Sequence, residues 1–167
     1  MTLGRAGLLA AGVVVVDQLT KAWIVAALPH GSERDVVPGL FRLIHTRNRG
    51  IAFGLLGDLG PLAYTLLLVA VVAIIVFVGR QLFRAGGDGL TAAALSLVLG
   101  GALGNLIDRI VRGEVVDFLD VFVTVGGAER HWPAFNVADA AITVGAILVV
   151  LAELRLARER HHAPDAP

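Results

Sequence analysis

The sequence predicts an α-helical integral membrane protein with four transmembrane helices and two polar, strand-forming segments outside the membrane. Of its 167 residues, 56% are hydrophobic and 17% are charged, whereas soluble domains average about 45–50% and about 25%. The mean hydropathy is +0.78. A helix needs roughly 20 apolar residues to cross a bilayer, and four stretches meet this condition. The length indicates a single membrane-embedded domain over residues 1–167.

The predicted spans cover about 6–28, 59–79, 89–107 and 136–155. The first span carries Asp17 and Lys21, and the second and third carry no charge. An alternative for the first span is a cleaved signal peptide, because Arg5 precedes it and Ala26 lies near a possible cut. However, the two charges interrupt the apolar stretch, which is also long for such a peptide. We therefore expect a retained helix.

Two segments, at about 29–58 and 109–135, are too polar to cross the membrane. Their pieces at 35–37, 41–45 and 114–123 are rich in β-branched residues and predict short strands. With four spans, both segments lie on one side, and the termini and the loop at 81–88 lie on the other. Arginines divide almost evenly between the sides, so the positive-inside rule does not orient the chain. Residues at about 158–167 are expected to form a flexible tail.

Composition excludes several functions. The formal net charge is zero and no basic tract is present, so nothing predicts nucleic-acid binding. Cysteine is absent, which excludes disulfides, thiol catalysis and zinc held by cysteine. We expect neither a metal nor a cofactor.

Ionisable residues at membrane depth are costly and indicate a functional site. Here they lie at span ends on one side of the membrane. Asp17 and Lys21 are four residues apart and share a helix face, so we expect an ion pair. The pair either makes the helix end tolerable in lipid or orients a polar cavity.

Small and polar residues mark the end of the third span. Gly100, Gly101 and Gly104 predict a close helix contact, which a substrate could also approach. Asp108 follows, beside Arg109, which favours the ionised carboxylate and suits a structural role better than proton transfer.

Three further positions have both a structural and a functional interpretation. Asn48 precedes Gly50 and fits either a turn or an amide that holds an extended peptide. Asp117 is flanked by apolar residues, whose burial raises a carboxylate pKa. Asn136 and Asp139 fit the first turn of a helix as cap and acidic residue. Asp139 is also the last charge before the fourth apolar stretch.

Five motifs in order resemble those of the bacterial lipoprotein signal peptidases (signal peptidase II), and the likeness covers about residues 5–155. They are Asp17-Gln18-Leu19-Thr20-Lys21, Asn48-Arg49-Gly50-Ile51-Ala52-Phe53, Gly104-Asn105-Leu106-Ile107-Asp108-Arg109, Val116-Asp117-Phe118 and Phe135-Asn136-Val137-Ala138-Asp139. Any one of them alone is weak, but five in this order and spacing are specific.

The resemblance implies an aspartyl endopeptidase of the bacterial cytoplasmic membrane. Such enzymes remove the signal peptide from prolipoproteins by cutting before a diacylglyceryl-modified cysteine. It implies that Asp117 and Asp139 are catalytic, and that the supporting residues are Asp17, Lys21, Asn48, Gly101, Asn105, Arg109 and Asn136.

The resemblance also implies an arrangement in the membrane. Both termini face the cytoplasm, the active site faces outward, and the first extramembrane segment forms a small sheet, or cradle, on the membrane surface. The expected partners are the lipidated prolipoprotein and membrane lipids, and we expect a monomer. No motif covers residues 124–130 or the tail.

Two alternatives remain from the residues themselves. Asp117, Asp120 and Asp139 could hold Mg²⁺ in a membrane transferase or phosphatase, although the chain lacks a dense acidic cluster. Intramembrane charges could also line the pathway of a small transporter or channel subunit. That reading predicts internal repeats and charges at mid-depth, whereas these charges lie at span ends.

Overall fold

The chain folds into long helices and a small sheet in a computed structural model that describes residues 1–50, 60–85 and 88–162. The elements are α1 (Leu3–Ala27), β1 (Glu33–Val37), β2 (Phe41–Asn48), α2 (Gly60–Arg84), α3 (Gly89–Val111), β3 (Val115–Val125), β4 (Ala128–His131) and α4 (Val137–His162). Each helix contains a stretch long and apolar enough to cross a membrane. The predicted class, four transmembrane helices with a small extramembrane sheet, is confirmed.

The structure describes only part of the predicted tail, of the first extramembrane segment and of the second span. Helix α4 continues to His162, into the first part of the predicted tail. The rest of the tail, at 163–167, lies outside the described residues. So do residues 51–58 of the first extramembrane segment and residue 59 of the second span.

Helix α3 lies at the centre of the helical part and packs against the other three helices. Glycines permit this close packing. A Cβ atom on Gly100 would lie 2.6 Å from the carbonyl oxygen of Ala10, and one on Gly104 would lie 2.6 Å from the Asp17 carboxylate. These two glycines therefore face α1, and the close helix contact that their spacing predicts is confirmed.

The sheet is antiparallel, with the strand order β1-β2-β3-β4, and both extramembrane segments contribute to it. The resemblance had assigned the cradle to the first segment alone. Strand β4 follows a two-residue turn in which Gly126 and Gly127 both have positive φ, 61° and 79°. A Gly-Gly pair between two runs of alternating apolar and polar residues is a hairpin signal. Strand β4 was therefore detectable from the sequence although no motif covers it.

Apolar contacts dock the sheet on the helices. Ile24, near the end of α1, is buried against Val116 and Phe118 of β3. Leu119 of β3 pairs with Phe135, the residue before the cap of α4. These contacts bring the middle of β3 beside the first turn of α4, and each of the two elements carries one of the aspartates of interest.

Candidate active site

Asp117 lies in the buried part of β3, and only 3% of its surface is exposed. One carboxylate oxygen accepts a 2.7 Å hydrogen bond from the Asn136 side-chain amide. The other accepts a 3.2 Å hydrogen bond from Asn48. Asn48 ends β2, and Thr46 lies directly opposite Asp117, so Asn48 reaches Asp117 as a diagonal cross-strand neighbour.

The surroundings of Asp117 favour its protonated form. Burial, followed by the negative charge of Asp139, raises the pKa of Asp117 to about 6. Hydrogen bonds from Asn48 and Asn136 act in the opposite direction because they stabilise the anion. The apolar flanks of Asp117 predict a raised pKa, and this prediction is confirmed.

Asp139 lies in the first turn of α4 and forms a reciprocal cap with Asn136. The Asn136 side-chain oxygen accepts a 2.9 Å hydrogen bond from the Asp139 backbone N–H. The Asp139 carboxylate accepts a 3.2 Å hydrogen bond from the Asn136 backbone N–H. This arrangement matches a capping box. Both residues therefore cap the helix, as their sequence positions predict, and Asn136 contacts Asp117 as well.

Asn105 of α3 connects the aspartates to a buried cation. Its amide nitrogen donates a 2.8 Å hydrogen bond to Asp139. Its oxygen accepts hydrogen bonds from Lys21 at 2.9 Å and from Asn136 at 3.2 Å. Because both of its side-chain atoms are engaged, the orientation of the amide is determined, and Asp139 faces a fixed donor.

Lys21 is completely buried and lies between two carboxylates. Its Nζ is 2.8 Å from Asp17 and 2.9 Å from Asp108, so the predicted pairing of Lys21 with Asp17 is confirmed. The second oxygen of Asp17 accepts a 2.9 Å hydrogen bond from the Ala138 backbone N–H. Asp17 thereby fastens α1 to the first turn of α4, where anions are favoured.

Asp108 connects three elements and contacts neither Asp117 nor Asp139 by a recorded hydrogen bond. It accepts hydrogen bonds from the Val116 backbone N–H at 3.2 Å and from Gln18 at 3.0 Å, and it pairs with Arg112. This supports the structural interpretation of Asp108. Gln18 was not singled out from the sequence, although a polar side chain next to Asp17 within an apolar span was a usable signal.

The side chains of Arg109 and Asp108 project from different faces of α3, because adjacent helix positions do not share a face. The Arg109 guanidinium donates to the carbonyl oxygens of Gly50 at 2.8 Å and of Asn105 at 3.2 Å. Its Nε is buried without a partner in the described part of the chain. Arg109 thus joins α3 to the start of the Asn48 motif. The rest of that motif, Ile51-Ala52-Phe53, lies outside the described residues.

Gly101 sets the distance between α3 and α4. A Cβ atom there would collide with the carbonyl oxygen of Ala138 and would lie 2.7 Å from Ile142. The glycine therefore allows the first turn of α4, which carries Asp139, to pack directly against the α3 backbone.

A cavity of about 530 Å³ brings five of the predicted residues together. They are Asn48, Asn105, Arg109, Asp117 and Asp139. Asn136 forms hydrogen bonds with three of them, Asn105, Asp117 and Asp139. The paired residues Asp17 and Lys21 are not among the residues that line the cavity. The apolar part of the cavity wall includes Trp132, Pro133, Phe135, Ile142 and Val144. These apolar lining residues were not predicted from the sequence, although tryptophan and apolar residues beside a span end are typical of the membrane interface.

Asp120 lies away from this cavity. Its carboxylate is 3.5 Å from Arg42 and 3.0 Å from His131. In the part of the chain that the structure describes, no three His, Asp or Glu side chains are arranged to hold a metal ion. The proposed Mg²⁺ site of Asp117, Asp120 and Asp139 therefore lacks its third carboxylate.

The family model described as signal peptidase (SPase) II matches residues 9–155 of this chain. The lipoprotein signal peptidase of Cupriavidus necator is 49% identical over 153 residues, which cover 90% of this chain and 82% of that protein. That of Geobacter sulfurreducens is 44% identical over 153 residues, or 92% of each chain.

Two solved bacterial membrane enzyme structures, at 2.3 Å and 1.9 Å resolution, share the fold. The first matches with a TM-score of 0.79 and 31% identity over 99% of this chain and 94% of that one. The second matches with a TM-score of 0.75 and 34% identity over 91% and 94%. By its sequence and by its fold, this chain belongs to the signal peptidase II family.

Proposed function

We propose that this protein is an aspartyl endopeptidase that removes the signal peptide from diacylglyceryl-modified prolipoproteins by cutting before the lipidated cysteine. One observation carries the proposal: Asp117 and Asp139 line the same cavity and are both hydrogen-bonded to Asn136. The curated relatives are lipoprotein signal peptidases, which supports the substrate class.

Two neighbouring carboxylates can activate water without a metal. Like charges at short range do not both ionise, so the pair shares one proton. The ionised member takes a proton from water, and the protonated member polarises the scissile carbonyl and then protonates the leaving amine. The raised pKa of Asp117 is consistent with such sharing. The two titrations belong to the pair, so neither aspartate is assigned as the acid.

The remaining polar residues hold the pair and the substrate. Asn105 and Asn136 donate to the aspartates and are themselves held by other hydrogen bonds, so these donors need no rearrangement during the reaction. Asn48 of β2 and Arg109 of α3 also line the cavity. We assign them to the positioning of the extended peptide around the scissile bond, because positioning accounts for a large share of a catalysed rate.

We further propose that both termini lie in the cytoplasm and that the sheet and cavity lie on the outer face of the bacterial cytoplasmic membrane. The cavity opens where β3 meets the first turn of a membrane-spanning helix. A lipid-anchored substrate can therefore reach it without leaving the bilayer.

The orientation can be tested because the chain lacks cysteine. Arg130→Cys in β4 and Arg84→Cys at the end of α2 each introduce a single thiol. In intact spheroplasts, a membrane-impermeant maleimide should label the first variant alone. Labelling of the second alone would reverse the orientation.

The function itself is tested with purified protein, a diacylglyceryl-modified prolipoprotein and its unmodified twin, each with and without EDTA. We expect cleavage of the lipidated form alone, unchanged by EDTA, with the lipidated cysteine at the new N-terminus. Equal cleavage of both forms would contradict the substrate assignment. Loss of activity in EDTA would contradict the aspartyl mechanism. The same preparation, measured by light scattering with detergent subtracted, tests the expectation of a monomer.

A further inference from the structure

A second cavity, of about 430 Å³, lies between the end of α1 and the edge of the sheet. Trp23 and Leu28 line it from α1, and Arg34, Asp35 and Val36 line it from β1. None of these residues lines the cavity of Asp117 and Asp139. The second cavity is therefore separate from the proposed active site.

The Arg34 side chain is directed to the helix side of the sheet. Arg34 lies opposite Leu43 in the β1–β2 register, and directly opposite residues project to the same face. Leu43 packs against the apolar cluster that contains Ile24 of α1. Asp35, the next residue, lies opposite Arg42, and its carboxylate is 3.8 Å from the Arg42 Nε. Asp35 therefore forms a long ion pair with Arg42, which partly offsets its negative charge.

Within residues 1–50, 60–85 and 88–162, no carboxylate lies within ion-pair distance of Arg34, whereas Arg42 on the neighbouring strand pairs with Glu33, Asp35, Asp120 and Glu129. Arg34 thus lines a cavity whose other lining residues are mostly apolar, and it has no carboxylate partner that would compete with a bound anion. Its charge and planar donor set match a phosphate group.

The cavity is continuous with the lipid-facing surface of α1. Leu19 and Trp23 of this membrane-spanning helix are 65% and 55% exposed, and Val36 of β1 continues the apolar surface. Tryptophan is enriched at the level of the lipid headgroups. A cation beside an exposed tryptophan at a span end therefore lies at the depth where phospholipid phosphates lie.

We propose that this cavity binds the phosphate-bearing headgroup of a membrane phospholipid, with Arg34 bound to the phosphate and Trp23 packed against the glycerol and upper acyl chain. The lipid fills the space between the end of α1 and the edge strand of the sheet. It thereby fastens the sheet to the membrane surface. This inference goes beyond the proposed function and does not depend on proteolysis.

The test uses the full chain purified in a phosphate-free, non-ionic detergent, with thermal unfolding measured during titration of three additives. Dioleoyl phosphatidylglycerol carries both the acyl chains and the phosphate. Dioleoylglycerol carries the chains alone, and inorganic phosphate carries the anion alone. The variants are Arg34→Gln and, as a matched control on the same sheet, Arg130→Gln. Native mass spectrometry counts the phospholipids retained by each protein.

Phosphatidylglycerol should raise the unfolding temperature of the parent protein and of Arg130→Gln, whereas dioleoylglycerol and inorganic phosphate should not. For Arg34→Gln the midpoint of the titration should move to at least about tenfold higher lipid, since a charge-assisted contact is lost. Fewer retained phospholipids should accompany this shift. An equal response of Arg34→Gln and the parent, or an equal effect of dioleoylglycerol, would overturn the proposal. An equal effect of inorganic phosphate would indicate a simple anion site instead.

Discussion

The side-chain amide of Asn136 donates a 2.7 Å hydrogen bond to the carboxylate of Asp117. The same side chain caps the helix that carries Asp139, through its oxygen. One residue therefore combines a local role in helix initiation with a contact between two elements. Its two roles use different atoms, so they can be separated by substitution.

Replacing Asn136 with serine should separate capping from catalysis. Serine is also a good N-cap residue, so the helix cap should be retained, while loss of the buried amide's hydrogen bonds to Asp117, Asn105 and Val116 should cost about 1–3 kcal/mol of stability. The hydroxyl is too short to replace the amide that reaches Asp117, so kcat/KM for prolipoprotein cleavage should fall roughly 10–100-fold. Asn136→Ala should lose a similar amount of activity and, in addition, about 0.5–2 kcal/mol of stability. Parental activity in Asn136→Ser would show that the contact with Asp117 is dispensable.

Replacing either aspartate of the proposed pair with asparagine should remove cleavage while the protein still folds and inserts. Neither variant can share a proton between carboxylates, and general acid–base catalysis alone contributes about 10²–10⁴-fold. Purified Asp117→Asn and Asp139→Asn should give no product with the lipidated substrate.

The matched control is Asp120→Asn, in the same strand as Asp117 but directed to Arg42 and His131. This variant should retain cleavage. Cleavage by either variant of the pair, at a rate near that of Asp120→Asn, would contradict the assignment.

The four helices were predictable because long apolar stretches are a strong signal. The strands were predictable where β-branched residues cluster. The pairing of Asp17 with Lys21 was also predictable, since four residues separate them on one helix. By contrast, the residues alone favoured Asp117 over Asp108 chiefly through the arginine beside Asp108. The family motifs supplied that choice.

The contacts among Asn105, Asn136 and the aspartates were not predictable in the same way. They depend on how closely α3 and α4 approach at Gly101 and on the register of β3 against β2. Both are properties of packing between segments far apart in the chain. The wall around Trp132 was missed for a similar reason, because it faces the site only after Phe135 pairs with Leu119.

Adding a methyl group at Gly101 should impair activity through the position of α4. In Gly101→Ala the new Cβ would collide with the Ala138 carbonyl, so the first turn of α4 and Asp139 must move. Overpacking of this kind costs about 1–3 kcal/mol, and kcat should fall more than about tenfold because the reacting groups are displaced.

Gly12→Ala in α1 is the control, because no atom lies within 4 Å of a Cβ built there. Alanine also forms helix better than glycine by about 1 kcal/mol in peptides. We expect unchanged cleavage and equal or higher thermal stability for this variant. If Gly101→Ala behaved like Gly12→Ala, the close contact of α3 with α4 would not control the position of Asp139.

The raised pKa of Asp117 predicts a specific dependence of stability on pH. In the folded protein this pKa is about 6, whereas in the unfolded chain it is about 3.9. Between these values the folded state holds a proton that the unfolded state has released, so stability falls as pH rises from about 4 to about 6. The full penalty, of about 2–3 kcal/mol, persists above that range and is absent below about pH 4. Asp117→Asn removes one carboxyl of the coupled pair and the proton that it binds, so the unfolding temperature of the variant minus that of the parent should increase across the window and then level off. A difference that stays constant from pH 4 to pH 7.5 would mean that the pair takes up no extra proton on folding, and the surroundings of β3 would then not favour the protonated form of Asp117.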